Sequence, residues 1–402
     1  MVAEIEITRD LIQRKNINMI RLNYFITPLL LIFFISCKVP NPEILVDSLA
    51  TDETVALFVN LRSIRVNKVL FGHQETTAYG VGWINDGNEN KSDVKKVCGD
   101  FPAIYGWDIG DIGQATNLDG VPFHQIKALI KDAYERGGVN TISFHQDNPV
   151  SGNHAWDTTR AVSHILPGGS SHADYTARLS MVAEFMHDLK ADDGSPIPLI
   201  FRPYHEHNGD WFWWGKGPAT EQDFIALWQF TVNYLKNEKN VHNLLYAFSP
   251  DRSRIKDAAN AKEYLYGYPG DGYVDIIGLD NYFDVGSHWN KKPLKEQSVS
   301  FIKSLEVIVH LAKERGKIPA LTETGLDTLH IDGWWTDVIL AGINANKVTR
   351  QIAYLSVWRN ANTKHFHAPY PGQKTEADFV EFYSHPITVF ESELPDMYKL
   401  TD

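Results

Sequence analysis

The 402 residues carry 38 basic against 50 acidic side chains, a formal net charge of -12 that argues against a nucleic-acid partner and leaves a neutral ligand unopposed. With 43% hydrophobic residues the chain can bury one large core, and its length also permits two domains. Aromatics make up 12%, including 11 Trp and 17 Tyr, which suits stacking on flat apolar faces such as those of sugars; the competing account is a Trp-rich core.

The amino terminus carries the first predicted element. From Phe25 to Ile35 the chain is apolar except for Thr27 and Pro28, follows Lys15 and Arg21, and ends at Ser36-Cys37. That run is too short to span a bilayer and reads as the apolar region of a signal peptide. Phe34-Ile35-Ser36-Cys37 resembles a bacterial lipobox, although a Leu is usual where Phe34 stands; Cys37 would be lipidated and become the first mature residue. Glu4, Glu6 and Asp10 are unlike a basic leader and point to Met19 as the true start. The expectation is a protein of the bacterial cell envelope, held there by lipid alone. Cys98 is then left without a partner, so no internal disulfide is expected. Residues 38–47, with Pro40 and Pro42, are expected to form a tether, and 48–402 a single catalytic domain.

Helical spacing is expected from Ser48 to Leu61, and Val66 to Phe71 gives a strand that ends in Gly72-His73-Gln74-Glu75. Pro102 to Trp107 ends in Asp108 and a loop with Gly110 and Gly113, after which Phe123, Ile126, Leu129 and Ile130 outline a helix that stops near Gly137-Gly138. Val139 to Phe144 ends in His145-Gln146-Asp147. A long polar loop through Trp156 then reaches about Ser171, a length that in compact domains accompanies function. Tyr175, Leu179, Val182, Met186 and Leu189 repeat at the helical period until Gly194-Ser195-Pro196, and Ile197 to Phe201 is the fourth strand. Thr220 with Asp223 makes a capping box ahead of Phe224, Leu227, Thr231 and Leu235. Further strands are expected at Leu244 to Phe248, Val274 to Leu279, Ile318 to Leu321 and Ile352 to Val357. A helix from about Ser300 to the terminator Gly316 separates the sixth strand from the seventh, and a last helix lies near Glu376 to Tyr383.

Eight buried-type strands alternating with helices, with polar and aromatic residues at their carboxyl ends, predict a (β/α)8 barrel. A doubly wound open sheet is the alternative, but it needs no functional residues at all eight ends, and no Gly-rich phosphate loop follows the first strand. The densest end is the fourth: Arg202-Pro203-Tyr204-His205-Glu206-His207-Asn208-Gly209-Asp210-Trp211-Phe212-Trp213-Trp214. Rings set in a polar turn mark a binding surface more often than packing alone.

On a closed barrel the ends of strands four and seven face each other, so Glu206 and Glu323 can share a centre, an arrangement that suggests glycoside hydrolysis. That chemistry needs one carboxyl protonated and one ionised. The ring-rich loop would desolvate Glu206, whereas the guanidinium of Arg202 and the phenol of Tyr282 would suit an ionised Glu323.

These segments resemble glycoside hydrolase family 26, whose best-known members are β-mannanases. Arg202-Pro203-Tyr204-His205-Glu206 with Gly209 and Trp211-Phe212-Trp213-Trp214 is similar to the family's acid/base motif, and Leu321-Thr322-Glu323-Thr324-Gly325 to its nucleophile motif. The resemblance spans about Val66 to Trp358. It implies a retaining double displacement on β-1,4-mannosidic bonds of mannan, glucomannan or galactomannan, by internal cuts or by release of mannobiose, with Glu206 as acid/base and Glu323 as nucleophile. By the same resemblance His205 binds the sugar being cleaved, Tyr282 holds the nucleophile, and Trp211 and Trp358 floor the site. His145, Phe248 and Arg359 match other sugar-contacting positions, and Trp156 a platform on the leaving-group side; Trp213 and Trp214 serve equally well as core. A monomer with no cofactor and no metal is implied.

Two rival readings carry their own features. His205-x-His207, with His73, His145 and His242, would suit a metal-dependent amidohydrolase-like barrel if the pair lay on one face of a strand, but such barrels carry it on their first strand. A non-catalytic sugar-binding lipoprotein would need only the rings and leaves Glu206 and Glu323 unexplained.

Overall fold

The computed structural model describes residues 44–87 and 91–400 and shows a closed barrel of eight parallel strands. These are β1 (Val69–Gln74), β2 (Ile104–Asp108), β3 (Val139–Ser143), β4 (Leu199–Arg202), β5 (Leu244–Phe248), β6 (Ile276–Asn281), β7 (Ile318–Thr324) and β8 (Tyr354–Val357). Each pairs with its neighbour in sequence order, and β8 returns to β1 in the register Leu70↔Tyr354 to His73↔Val357. Closure removes the two free edges that an open sheet would have. The expected (β/α)8 architecture is therefore the observed one.

Continuous apolar runs form these strands because both faces are covered. Leu70, Ile104, Ile200, Leu245, Ile276, Ile318 and Tyr354 fill the barrel, while Phe71, Tyr105, Ile142, Phe201 and Ile277 pack outward under the helices. Helices Phe123–Glu135, His172–Asp188, Glu221–Asn233 and Leu294–Arg315 supply most of that outer layer. Thr220 caps the third of them by accepting the Asp223 N–H, as its capping box predicts, and Gly316 stops the fourth in a left-handed conformation, φ 72°. Between β5 and β6 the α-helix is short, Ala261–Tyr264, flanked by the 3-10 turns Arg252–Arg254 and Asp271–Tyr273, and between β7 and β8 the chain winds more widely over Trp334–Leu340.

Several boundaries differ from those expected, most of all at the first strand and the helix before it. The strands expected from Pro102, Ile197, Val274 and Ile352 each begin two residues later, and the long helix expected from about Ser300 begins at Leu294. The first strand begins at Val69 and runs on through Gln74, because the residues from Val66 still turn out of the preceding helix, with Lys68 N–H bonded to the Ile64 carbonyl at 3.0 Å. That helix starts at Asp52, where Thr51 caps it. Its Leu57, Phe58 and Leu61 join the barrel-filling cluster, so the helix plugs one mouth. The functional loops open at the other, beyond the carboxyl ends of the strands.

The tether expected over 38–47 is not free chain from Ile44 onward. Leu45 and Val46 are buried, Val46 N–H donates to Asp275 Oδ1 at 2.9 Å, Lys317 Nζ donates to the Ile44 carbonyl at 2.8 Å, and His242 bonds Asp47 at 2.7 Å. Asp275 and Lys317 are buried and need these partners, which the spacing of polar residues in 44–47 does not reveal. The segment expected to be a signal peptide, with Cys37, and residues 38–43 of the expected tether lie outside the described residues. A chain beginning at Ser48 is expected to lose at least the ~1–3 kcal/mol that one orphaned buried partner costs. Thermal unfolding against a chain that keeps Ile44 to Asp47 checks this; equal melting temperatures would refute it.

Candidate active site

Glu206 lies four residues beyond the end of β4, in a turn, and its φ of 54° puts it in the left-handed region that a side chain bearing a Cβ seldom adopts. Its N–H is held by the Ser249 carbonyl at 2.8 Å, and its own carbonyl accepts from Gly209 at 2.9 Å, so backbone bonds at the ends of β4 and β5 fix the strained residue. The side chain reaches into a cleft of about 740 Å³ whose lining includes His145, Trp156, His205, Trp211, Phe212, Tyr282, Glu323 and Trp358. Trp211 Nε1 donates to Glu206 Oε2 at 2.8 Å, and among the described residues no cation pairs with this carboxyl.

Glu323 enters the same cleft from β7 through an irregularity. Relative to β6, a step of two residues from Gly278 to Asp280 is matched by a step of three from Ala320 to Glu323; relative to β8, a step of two from Leu355 to Val357 is matched by a step of three from Leu321 to Thr324. The extra residue is a bulge on β7, and it changes which side chains aim at the mouth. Arg202 Nη2 donates to one oxygen of Glu323, and the Tyr282 hydroxyl donates to the other at 2.7 Å. Arg202 also reaches Asp280 at 2.6 Å, and Asp280 takes further bonds from Thr322 at 2.7 Å and Ser249 at 3.2 Å.

The charges do not balance. Glu206, Glu323, Asp280 and Asp251 crowd together; Arg202 lies between Asp280 and Glu323, and Arg254, at the cleft lining, acts on Asp251. Burial opposes the charge of Arg202, but Asp280 and Glu323 outweigh it and keep it protonated. Burial first, then the repulsion of Asp251, Glu323 and Asp280, pushes Glu206 well above the ordinary carboxylate range, and the single indole bond does not reverse this. Burial likewise drives the Tyr282 phenol up, with Glu323 adding to it, so the hydroxyl stays a donor.

One wall is built of histidine. The Asp108 carboxylate bonds His145 Nδ1 at 2.6 Å, and His145 Nε2 meets His205 Nε2 at 3.0 Å. Burial alone would raise Asp108, but His145, Ser143 and the Gly110 N–H hold it below its usual range. Burial, then Arg202, keeps His205 neutral. Trp156, 48% exposed, stacks on His145 with centroids 5.4 Å apart, and Trp358 meets the same imidazole edge-on at 5.7 Å.

Of the residues singled out in the sequence, Glu206, Glu323, His145, Trp156, His205, Trp211, Tyr282 and Trp358 share this cleft, with Arg202 beneath it. Two do not line it. Phe248 is fully buried behind it against His207, Trp228 and Tyr264, and Arg359 pairs with Asp119 at 3.1 Å. Trp213 and Trp214 are buried braces whose indoles bond the carbonyls of Gln146 and His205, both at 2.9 Å. The chain leaves β4 at Arg202 and Glu206 turns it, so His205 and His207 diverge; His207 bonds the Tyr266 carbonyl at 2.7 Å. His73 bonds Thr76 and His242 bonds Asp47, which leaves the metal reading without a converging set. The cleft adds Asp251, Phe283, Trp289, Asp327, His330, His365 and His367, which lie in loops without a periodic pattern to single them out.

A parallel barrel whose carboxyl-end cleft holds two acids in unlike surroundings, walled by rings, is the kind of site that cleaves glycosidic bonds. The chain belongs to glycosyl hydrolase family 26, whose sequence profile matches residues 46–336. It is 36% identical over 287 residues to a mannan endo-1,4-β-mannosidase of Bifidobacterium adolescentis, covering 69% of this chain but only 27% of that relative's length. The structure is similar to that of BoMan26A, a β-mannanase from Bacteroides ovatus, with a TM-score of 0.80 and 38% identity over 87% of this chain and 98% of that one. A modular endo-β-1,4-mannanase from Cellulomonas fimi gives 0.82 and 37% over 89% of this chain and 80% of that one.

Because folded Glu206 keeps its proton above the usual value of 4.5, the unfolded chain releases a proton that the folded chain retains, and stability falls as pH rises from there through the folded pKa. Glu206→Gln is always neutral and escapes that loss. Its melting temperature is expected to gain on the parent's as pH rises above 4.5. Parallel pH profiles would refute the burial argument.

Proposed function

We propose that the chain is a retaining endo-β-1,4-mannanase in which Glu206 is the acid/base and Glu323 the nucleophile. The observation that carries the reading is the contrast between the two carboxyls: Glu206 is pushed upward with only an indole as partner, while Glu323 is gripped by Arg202 and Tyr282. The mannan substrate rests on the similarity to named mannanases.

In this mechanism protonated Glu206 gives its proton to the leaving glycosidic oxygen while a Glu323 oxygen bonds the anomeric carbon. Arg202 and Tyr282 orient that carboxylate. Glu206, now ionised, takes a proton from a water that attacks the mannosyl-enzyme from the face the leaving group vacated, and the β configuration is kept. His145 and His205 contact the sugar being cleaved, and Trp211 and Trp358 floor it. Trp156 and the 69%-exposed Trp289 offer rings further along the cleft, where an extended polymer can lie, which supports internal cutting. The lipobox-like Phe34-Ile35-Ser36-Cys37 supports a second proposal, that lipid on Cys37 holds the enzyme at the cell envelope.

Glu206→Ala is expected to slow mannan hydrolysis by roughly 10²–10⁴-fold, the usual worth of general acid/base catalysis. The glycosylation step on an aryl mannoside with a good leaving group should suffer far less, and equal damage on both substrates would remove Glu206 as the acid. Proton NMR of products before mutarotation is expected to show the β anomer first; an α anomer would mean inversion and overturn Glu323 as nucleophile.

A further inference from the structure

The loops that follow β7 and β8 meet on the cleft wall. There they bring Asp327, His365 and His367 together, with candidate ligand atoms all within 4.8 Å of one another. We propose that these three side chains bind a divalent cation of the Zn²⁺ class. The site is separate from the acid pair, and the inference does not rest on the glycosidase reading.

The donor set selects the ion. Two imidazoles and one carboxylate suit Zn²⁺ and its neighbours in the first transition row, whereas Ca²⁺ and Mg²⁺ want a shell of oxygens. Spacing agrees with this. Asp327 Oδ1 and His365 Nδ1 are 3.5 Å apart. A zinc tetrahedron with arms of ~2.0–2.1 Å has edges of about 3.3 Å. The rings of His365 and His367 have centroids 5.1 Å apart and stand nearly perpendicular, at 82°, so their lone pairs can converge without stacking. Three protein ligands leave a fourth position for water.

The backbone holds this set together before any ion arrives. Thr328 N–H donates to the Phe366 carbonyl at 2.9 Å, which ties the turn bearing Asp327 to the segment bearing both histidines. That turn contains two successive residues with positive φ, Thr328 at 63° and Leu329 at 44°, an uncommon conformation that the cross-loop bond helps fix. Asn360 Oδ1 accepts the His367 N–H at 2.9 Å, and His367 Nδ1 lies 3.3 Å from the Arg359 carbonyl. Given to that carbonyl, Nδ1 carries the proton and Nε2 is left as the ligand atom, the outer-shell arrangement that orients metal-binding histidines. Gly325 admits the ring: a Cβ there would come within 2.5 Å of His367 Cδ2.

Calorimetric titration of the full chain with ZnCl₂, and separately with CaCl₂, tests the proposal. One saturable Zn²⁺ site and no Ca²⁺ site are expected. Asp327→Asn and His365→Ala should each weaken Zn²⁺ binding by at least the 10–100-fold that loss of even an outer-shell partner costs. His164→Ala, which removes an exposed histidine elsewhere, should leave it unchanged. Should His365→Ala fold poorly, Asp327→Asn carries the test, because Asp327 is 53% exposed and Asn keeps its shape. Absence of a saturable Zn²⁺ site, or Asp327→Asn binding Zn²⁺ as tightly as the parent, would overturn the proposal.

Discussion

The ends of four strands depend on one buried guanidinium. Arg202 is the last residue of β4, two after Ile200, and strand alternation puts both on the barrel's inner face. From there it binds Asp280 on β6 and Glu323 on β7 and touches Ser249 beyond β5 at 3.3 Å. A desolvated cation needs such partners, and the carboxyls need it as much. Burial first, then repulsion among the neighbouring acids, pushes Glu206 and Asp280 upward, and of the two Glu206 is the one without a cationic contact. Glu206 and Glu323 thus differ in their partners because Arg202 and Tyr282 both reach Glu323, while Glu206 is left with the Trp211 indole.

The aromatic loop holds that asymmetry in place. Trp213 and Trp214 are fully buried, and each indole bonds a backbone carbonyl, one in the loop after β3 and one at His205 itself. Phe212 stacks on Trp214 with centroids 4.4 Å apart and closes the layer beneath the cleft. Against that support Glu206 can keep a backbone conformation that a freer loop would relax. Of four neighbouring rings, Trp213 and Trp214 brace the loop, while Trp211 and Phe212 line the cleft.

Two His-x-His segments make the same point about spacing. In His205-Glu206-His207 the middle residue is left-handed and the imidazoles part, one to His145 and the other to the Tyr266 carbonyl. In His365-Phe366-His367 the Phe is buried against Tyr370 and both imidazoles line the cleft near a carboxylate from another loop. Identical spacing therefore has opposite outcomes, because the conformation of the middle residue decides it.

The sequence by itself determined the barrel and its strand ends, since runs such as Leu244–Phe248 can only be buried on both faces and helical spacing between them forces parallel neighbours. It also pointed to Glu206, Glu323, Arg202 and Tyr282, because each sits at or just past a strand end, where local pattern and function coincide. Only the tertiary structure decided that β7 bulges before Glu323, that Phe248 faces away from the cleft, that Ile44 to Asp47 dock onto buried Asp275 and Lys317, and that Asp327 meets His365 and His367. Each of those depends on contacts between residues far apart in the chain or on a register shift of one residue. Periodicity, which reports only what neighbours along the chain share, carries no trace of either.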